Sequence, residues 1–146
     1  MKIFATIIYM AKITIQAEVE APVEKVWDLF NGPEHIVKWN HASDDWHTTR
    51  ASNDLKVGGI INSRMESKDG TQGFDFQGTY DEVVPHEFIS YSMADGRKVE
   101  IAFRDDEGMT HITETFDAET VNSIEMQRDG WQTILDNFKK YVESYK

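Results

Sequence analysis

Glu114 is the residue whose position in this sequence most directly suggests chemistry. It lies two residues from both Ile112 and Phe116, and alternate residues of a strand share one face, so its side chain is predicted to point into an apolar interior. An unpaired carboxyl there costs free energy and has a raised pKa. Glu114 is therefore a candidate to orient a ligand or to move a proton. The alternative is a bulge, a slip of the strand phase or a local ion pair that leaves it solvated.

Other residue types that carry chemistry form no comparable arrangement. Two histidines and two aspartates cluster near one loop, but their spacing matches no strong metal-ligand pattern: His41, Asp44, Asp45 and His47. The pair Gly58–Gly59 lacks the lysine and the following helix of a phosphate loop. No serine sits in a nucleophile elbow, and the absence of cysteine removes thiolate chemistry and disulfides. We therefore predict no catalytic residue, no metal and no cofactor.

The charge balance restricts the partners. Fifteen basic and 26 acidic residues give a formal net charge of -11, and this field repels nucleic acids and anionic membrane surfaces. Neither is expected as a partner. A basic protein would suit such an acidic surface, although a charge excess is usually a solvated exterior.

The length of 146 residues fits one domain, residues 1–146. Residues 1–10 are predicted to be an upstream extension or a continuation of the first strand, since their apolar stretch is too short to span a membrane. A chain without cysteine also fits a reducing compartment, so a cytoplasmic location is expected.

Alternation of apolar and polar residues predicts a first strand over Lys12–Glu20. Six further strand-like runs follow, with hairpin turns predicted at Asp69–Gly70, Asp95–Gly96 and 106–108: Asp45–Ser52, Gly59–Ser67, Gly73–Val84, Glu87–Met93, Arg97–Arg104 and Met109–Asp117. Each run has one apolar face. Gly78 interrupts such a face, which predicts a bulge or a sharp bend there.

Helical patterns flank these strands. Pro22 and Pro33 each suit the first turn of a short helix, and Asn122 or Ser123 is predicted to cap a final helix that continues to about Tyr145. Gly130 is predicted to let that helix approach the sheet closely. One apolar stripe and one apolar sheet face can be buried only against each other. The sequence thus predicts an α+β fold in which a curved antiparallel sheet of six to seven strands wraps around a long C-terminal helix.

Local segments resemble a known superfamily. The element order resembles the helix-grip fold of the START and birch-pollen-allergen superfamily. Residues 21–27 (APVEKVW), Trp39, residues 78–85 (GTYDEVVP) and Gly130–Trp131 resemble the branch homologous to the C-terminal domain of the heat-shock-protein-90 ATPase activator. The resemblance extends over nearly everything from Lys12 onward. Because this scaffold hosts several functions, the resemblance indicates the fold more strongly than the activity.

The resemblance implies a cavity between the sheet and the C-terminal helix. Periodicity alone is satisfied equally well by a solid core, but aromatic residues recur on the inner face, as they do in apolar ligand sites. We predict that thirteen side chains contact a ligand: Trp27, Trp39, Met65, Phe74, Phe76, Tyr80, Tyr91, Phe103, Ile112, Glu114, Trp131, Leu135 and Phe138. Trp46 belongs to the same row of aromatic residues.

Three functions fit these observations. The first is non-enzymatic binding of a hydrophobic or aromatic small molecule, such as a lipid, a sterol or a polyketide, by a monomer or weak dimer. The second is an enzyme resembling a polyketide cyclase or aromatase, with Glu114 or a tyrosine moving a proton. The third is a module that regulates a chaperone partner through its outer surface, as the resemblance implies.

Overall fold

The computed structural model describes residues 11–146, in which strands and helices follow the predicted order. The extension predicted for residues 1–10 lies outside the described residues. The elements are β1 (Lys12–Val19), α1 (Val23–Asn31), α2 (Pro33–Trp39), β2 (Trp46–Asn53), β3 (Ile60–Ser67), β4 (Gly73–Val84), β5 (Phe88–Ser92), β6 (Lys98–Asp106), β7 (Met109–Asp117) and α3 (Ile124–Ser144).

The seven described strands form one antiparallel sheet with the order β1-β7-β6-β5-β4-β3-β2. The three predicted hairpin turns each place a glycine at positive φ, with values of 79° at Gly70, 92° at Gly96 and 91° at Gly108, a conformation that other residues adopt only with strain. The sheet curls into a half-barrel. Its register shifts twice, at the bulge between Thr48 and Arg50 and at the one between Tyr80 and Glu82, and such bulges bend a strand.

The two short helices close one end of this half-barrel. Pro33 opens α2, where its missing N–H leaves no intrahelical hydrogen bond unmade. On α1, Trp27 and Phe30 point inward and meet the ring of Phe103 edge-on, at centroid distances of 5.2 and 5.4 Å. Phe138 of α3 contacts Phe30 in the same way at 5.1 Å. These rings form a packed aromatic cluster at the α1 end of the molecule.

The long helix α3 lies against the inner side of the sheet. Ser123 caps it, since its hydroxyl oxygen accepts a hydrogen bond of 3.1 Å from the backbone N–H of Met126. Its fully buried apolar side chains, Leu135, Phe138 and Val142, recur at a spacing of three and four residues. The predicted α+β helix-grip fold is confirmed. Among residues 11–146, no helix is both long and apolar enough to cross a membrane.

Of the bulge or sharp bend predicted at Gly78, the bulge was wrong in its position. Gly78 pairs regularly with Ile61, and the irregularity in β4 comes after Tyr80. A Cβ atom built on Gly78 would lie 2.3 Å from Cδ1 of Tyr91, so the absence of a side chain makes room for that ring. The glycine therefore serves packing across the sheet.

Candidate functional site

A cavity of about 440 Å³ lies between the inner face of the sheet and the first half of α3. Strands β3 to β7 supply its floor, while α3 and the end of α2 supply its walls. Most of its surface is apolar. Its deepest lining side chains include Ile89, Ile101 and Leu135, each at most 1% exposed.

The opening of the cavity is marked by lining residues that also contact solvent. Phe74 at the start of β4 is 47% exposed, and Met126 in the first turn of α3 is 62% exposed. Ala42, Ser43 and Asn122 are exposed as well. The opening therefore lies between the segment that joins α2 to β2, the beginning of β4 and the N-terminal end of α3.

Nine of the thirteen predicted ligand contacts border this cavity. Phe76, Tyr80 and Tyr91 come from the adjacent strands β4 and β5, where Tyr80 pairs with Tyr91. The nine are Trp39, Met65, Phe74, Phe76, Tyr80, Tyr91, Glu114, Trp131 and Leu135. Trp46 also lines it. The structure thus brings together predicted residues from six separate elements, α2, β3, β4, β5, β7 and α3.

The other four lie away from the cavity, in the packed core: Trp27, Phe103, Ile112 and Phe138. They have the same inward phase as the lining residues, but helix α1 covers this end and fills it with its own side chains. Ile112 and Phe138 are completely buried. Because none of the four borders the cavity, we assign them to fold stability and leave them out of the candidate site.

Several lining residues were missing from the predicted set. Ile89 and Ile101 share the inward face of β5 and β6, and Ser63 sits between Ile61 and Met65 on β3, so period two was sufficient to find them. Gln127 precedes Trp131 by one helical turn and falls on the same stripe. The lining also includes Phe30 and Ile36, whose contribution depends on how α1 and α2 dock.

Trp131 forms much of the helical wall. Its indole stacks on Phe116 of β7 with a centroid distance of 3.8 Å and an angle of 12°, and it meets Phe76 edge-on at 5.9 Å. Gly130 lines the same wall, and a Cβ atom built there would have nothing within 4 Å. The predicted close approach of helix and sheet at Gly130 was therefore wrong. This glycine faces open space.

Glu114 is the more buried of the two carboxyl side chains that line the cavity. It lies on the inner face of β7 between Ile15 of β1 and Ile101 of β6, and only 8% of it is exposed. Among residues 11–146 it has no side-chain hydrogen bond and no ion pair. Burial raises the pKa of its carboxyl from 4.5 to about 8, so at neutral pH it is mainly protonated. The alternative that a bulge or ion pair returns it to solvent was wrong.

Two tyrosines share the cavity with Glu114. The Tyr80 hydroxyl donates a hydrogen bond of 2.7 Å to Oδ1 of Asn53, so it has a partner within the protein. Tyr91 has none among the described residues, and burial, with the nearby carboxyl of Glu114, raises its pKa well above the ordinary value. Tyr91 thus presents a neutral hydroxyl to the cavity.

Gln127 is a polar lining residue whose hydrogen-bonding capacity is already used. Its amide nitrogen donates to the backbone carbonyls of Glu119 at 3.1 Å and Asn122 at 2.9 Å. Its amide oxygen accepts from the backbone N–H of Glu119 at 2.9 Å. The side chain ties the segment before α3 to the helix, whereas Glu114, Tyr91 and Ser63 line the cavity without a side-chain hydrogen bond among the described residues.

The histidine and aspartate cluster of the β2 region gives no metal arrangement. No group of three or more His, Asp or Glu side chains in the described part of the chain is placed to hold a metal ion. The Asp45 carboxylate accepts a hydrogen bond of 2.6 Å from Ser43, and the His41 carbonyl accepts one of 2.6 Å from Asn137 of α3. These contacts fix the segment that borders the cavity opening.

A half-barrel sheet closed by one long helix over an apolar cavity defines a helix-grip protein. The family model of the activator of Hsp90 ATPase homolog 1-like proteins matches residues 20–143, and the chain belongs to this family. Among proteins of curated function, none matches it.

Solved structures agree with this assignment. The chain is 48% identical to an AHSA1-like protein from Aeromonas hydrophila, with a TM-score of 0.85, over 92% of this chain and 93% of that one. It is 48% identical to the protein Chr148 from Cytophaga hutchinsonii, with a TM-score of 0.80, over 90% and 92% of the two chains. NE0264 from Nitrosomonas europaea, at 20% identity and a TM-score of 0.81 over 92% and 96%, shares the fold.

Proposed function

We propose that this protein binds an apolar small molecule in the cavity between sheet and α3, and that it does so without covalent chemistry. The cavity itself is the observation that supports this. Its volume of about 440 Å³ falls in the range of about 300 to 1,000 Å³ typical of small-molecule sites, which are mostly apolar with few polar groups.

The empty volume of the cavity favours binding of an apolar ligand. A cavity lined by apolar side chains costs stability because those side chains lack packing partners, and an apolar ligand restores the contacts. Phe74 and Met126 are exposed at the opening, and an apolar molecule can enter the cavity between them.

The test is solution NMR of the full chain against a panel of fatty acids, sterols, flavonoids and polyketides. A bound compound is expected to shift the side-chain resonances of Phe76, Tyr91 and Trp131 together, and to leave those of Phe138 and Trp27 in the packed core nearly unchanged. A panel in which every compound leaves the three cavity resonances in place contradicts the proposal.

A matched pair of variants separates cavity binding from surface binding. Gly130→Leu extends a side chain into the cavity, because nothing lies within 4 Å of a Cβ atom there. Thr133→Leu adds the same side chain on the exposed face of α3. Binding is expected to be lost in Gly130→Leu and kept in Thr133→Leu. Equal affinity in both variants contradicts binding inside the cavity.

An enzyme is the second candidate, and the pair Glu114 and Tyr91 favours it. A carboxyl whose pKa is about 8 is suited to donate and accept a proton near neutral pH. Mass spectrometry of poly-β-ketone substrates incubated with the protein tests this reading. We expect cyclised product with wild type and none with Glu114→Gln if it is correct, whereas recovery of unchanged compound from wild type contradicts it.

The family membership supports a third candidate, regulation of a chaperone. Such a role uses the outer surface of the domain and does not require an open interior. Stimulation of the ATPase of Hsp90 by the full chain would support it. An unchanged ATPase rate, together with no retention of the chaperone in a pull-down, would contradict it.

A further inference from the structure

The ionisable side chains that line the cavity are all acids, either carboxyls or phenols. They are Glu114 on β7, Glu119 before α3 and the neutral tyrosines 80 and 91; among residues 11–146, no lysine, arginine or histidine is in the lining. A ligand with a buried carboxylate, sulfate or phosphate would find no cation to pair with, and burying a charge without a partner is costly. The net charge of -11 opposes its approach as well.

Glu114 lacks the partner that a buried carboxyl needs. Its neighbours in the sheet are Ile15 and Ile101, and the wall of α3 facing the cavity contributes Trp131 and Leu135. The titratable groups near it are Tyr91 and Tyr80, and Tyr80 already donates to Asn53. Because buried polar groups are nearly always hydrogen-bonded, this carboxyl is placed for a group supplied by the ligand.

The aromatic walls of the cavity add a second preference. Trp131, Phe76 and Tyr91 border the same space as Glu114, with ring pairs at 5.9 and 6.2 Å. The face of an aromatic ring attracts a cation within about 6 Å of its centre, most strongly when water is excluded. Carboxyl and rings thus favour the same kind of ligand, a positive charge on an apolar body.

We propose, on the basis of the ligand-binding function above, that the ligand is an apolar amine whose protonated nitrogen pairs with Glu114 inside the cavity. A free-base amine takes the proton from the Glu114 carboxyl. An ammonium ion pairs with the carboxylate after Glu114 releases its proton to solvent. Both routes end in one ammonium, one carboxylate and a charge-assisted hydrogen bond, which is stronger than a neutral one.

The experiment compares three compounds that share one aromatic body: 2-naphthylethylamine, 2-naphthylethanol and 2-naphthylacetate. Titration calorimetry measures their affinities for wild type, for Glu114→Gln and for Glu100→Gln, a control that removes one acid from the exposed face of β6. In wild type the amine is expected to bind at least about tenfold more tightly than the alcohol, with the carboxylate weakest. Glu114→Gln should reduce amine affinity by about tenfold and leave the alcohol unchanged, and Glu100→Gln should change neither.

Proton release provides an independent readout. At neutral pH the amine is an ammonium ion and Glu114 is mainly protonated, so binding should release close to one proton, detected as a heat that differs between two buffers. The alcohol should release none. Equal binding of alcohol and amine to wild type, or the absence of proton release, overturns the amine assignment while the proposed function stands. If no member of the series and no compound of the wider panel enters the cavity, the proposed function fails and the amine assignment with it.

Discussion

A single hydrogen bond distinguishes two buried polar residues that face the same cavity. The Tyr80 hydroxyl donates to Asn53, so its position is fixed by the fold. Glu114 has a comparable degree of burial and no such partner among residues 11–146. A buried polar group that is hydrogen-bonded within the protein contributes to stability. A buried polar group without a hydrogen-bond partner lowers stability until a ligand supplies one. Glu114 is therefore expected to reduce stability in the unliganded protein.

Replacing Glu114 by glutamine should change how stability depends on pH. Below a pH of about 4.5 the carboxyl is protonated in the folded and unfolded states, and above about 8 it is ionised in both. Between these values the unfolded state releases a proton that the folded state keeps, so wild-type stability falls as pH rises. Glutamine does not titrate. The free energy of unfolding of the variant, relative to that of wild type, should therefore rise by roughly 3 kcal/mol between pH 4.5 and about pH 7.

Urea denaturation at several pH values between 4.5 and 8 measures this difference. Glu100→Gln is the control, because Glu100 is exposed on β6 and its removal should leave the curve parallel to that of wild type. Parallel curves for Glu114→Gln as well would mean that the carboxyl titrates normally.

Trp131→Ala and Phe138→Ala compare an aromatic ring on the cavity with one in the packed core. Phe138 is fully buried, so its truncation should cost about 3 to 5 kcal/mol. Trp131 is half-buried and borders open space, so its loss should cost less, about 1 to 3 kcal/mol from the lost stacking on Phe116. Ligand affinity should fall in Trp131→Ala. Chemical denaturation and a binding titration check both; equal costs for the two variants would place Trp131 in the core.

Two glycines, one in α3 and one in β4, are expected to respond in opposite ways to an added methyl group. A Cβ atom on residue 130 of α3 would have nothing within 4 Å, and alanine has a higher helix propensity than glycine. Gly130→Ala should therefore stabilise the protein by about 0.5 to 1 kcal/mol. At Gly78 the same atom would lie 2.3 Å from the Tyr91 ring, so Gly78→Ala should destabilise by about 1 to 3 kcal/mol through overpacking. Thermal denaturation of both variants tests the contrast, and a stabilised Gly78→Ala would contradict it.

These glycines also mark how far the sequence predicts the elements. The bounds of β4 and β7 agree with prediction, because alternating side chains and turn glycines are local signals. What lies opposite a glycine depends on neighbours from distant elements. The prediction correctly placed Gly130 on the helix and Gly78 on the strand, but it was wrong about the close approach at Gly130 and about a bulge at Gly78.

The candidate site was predictable only in part for the same reason. Phe103 and Tyr91 both follow period two on adjacent strands, yet Tyr91 lines the cavity and Phe103 is packed beneath α1. Periodicity gives the face of a sheet and does not give the position along it at which a covering helix ends. Glu114 was found because a charge among inward apolar residues is visible at the level of the sequence.

Helix α3 joins two regions of the protein that differ in how tightly they are packed. Its second half carries the fully buried Leu135, Phe138 and Val142 and lies over the aromatic cluster that α1 completes. Its first half borders the cavity and exposes Ile124 and Met126. A segment with few buried apolar contacts opens at lower free energy than one embedded in the core, even within one helix.

Hydrogen exchange of the unliganded protein should therefore divide α3 near Trp131. Amides of residues 138–142 are expected to exchange at least about tenfold more slowly than those of residues 127–131, because opening the second half disrupts the core. A ligand in the cavity supplies the apolar contacts that the first half lacks, so binding should slow exchange in residues 127–131 and change residues 138–142 little. Exchange resolved by NMR with and without ligand measures both effects.

Gly130→Ala is the control, since it strengthens the helix without filling the cavity and should slow the first half only slightly. Uniform protection along α3 in the unliganded protein would mean that the space beside Trp131 does not weaken the helix, and that a ligand is not needed to complete the packing there.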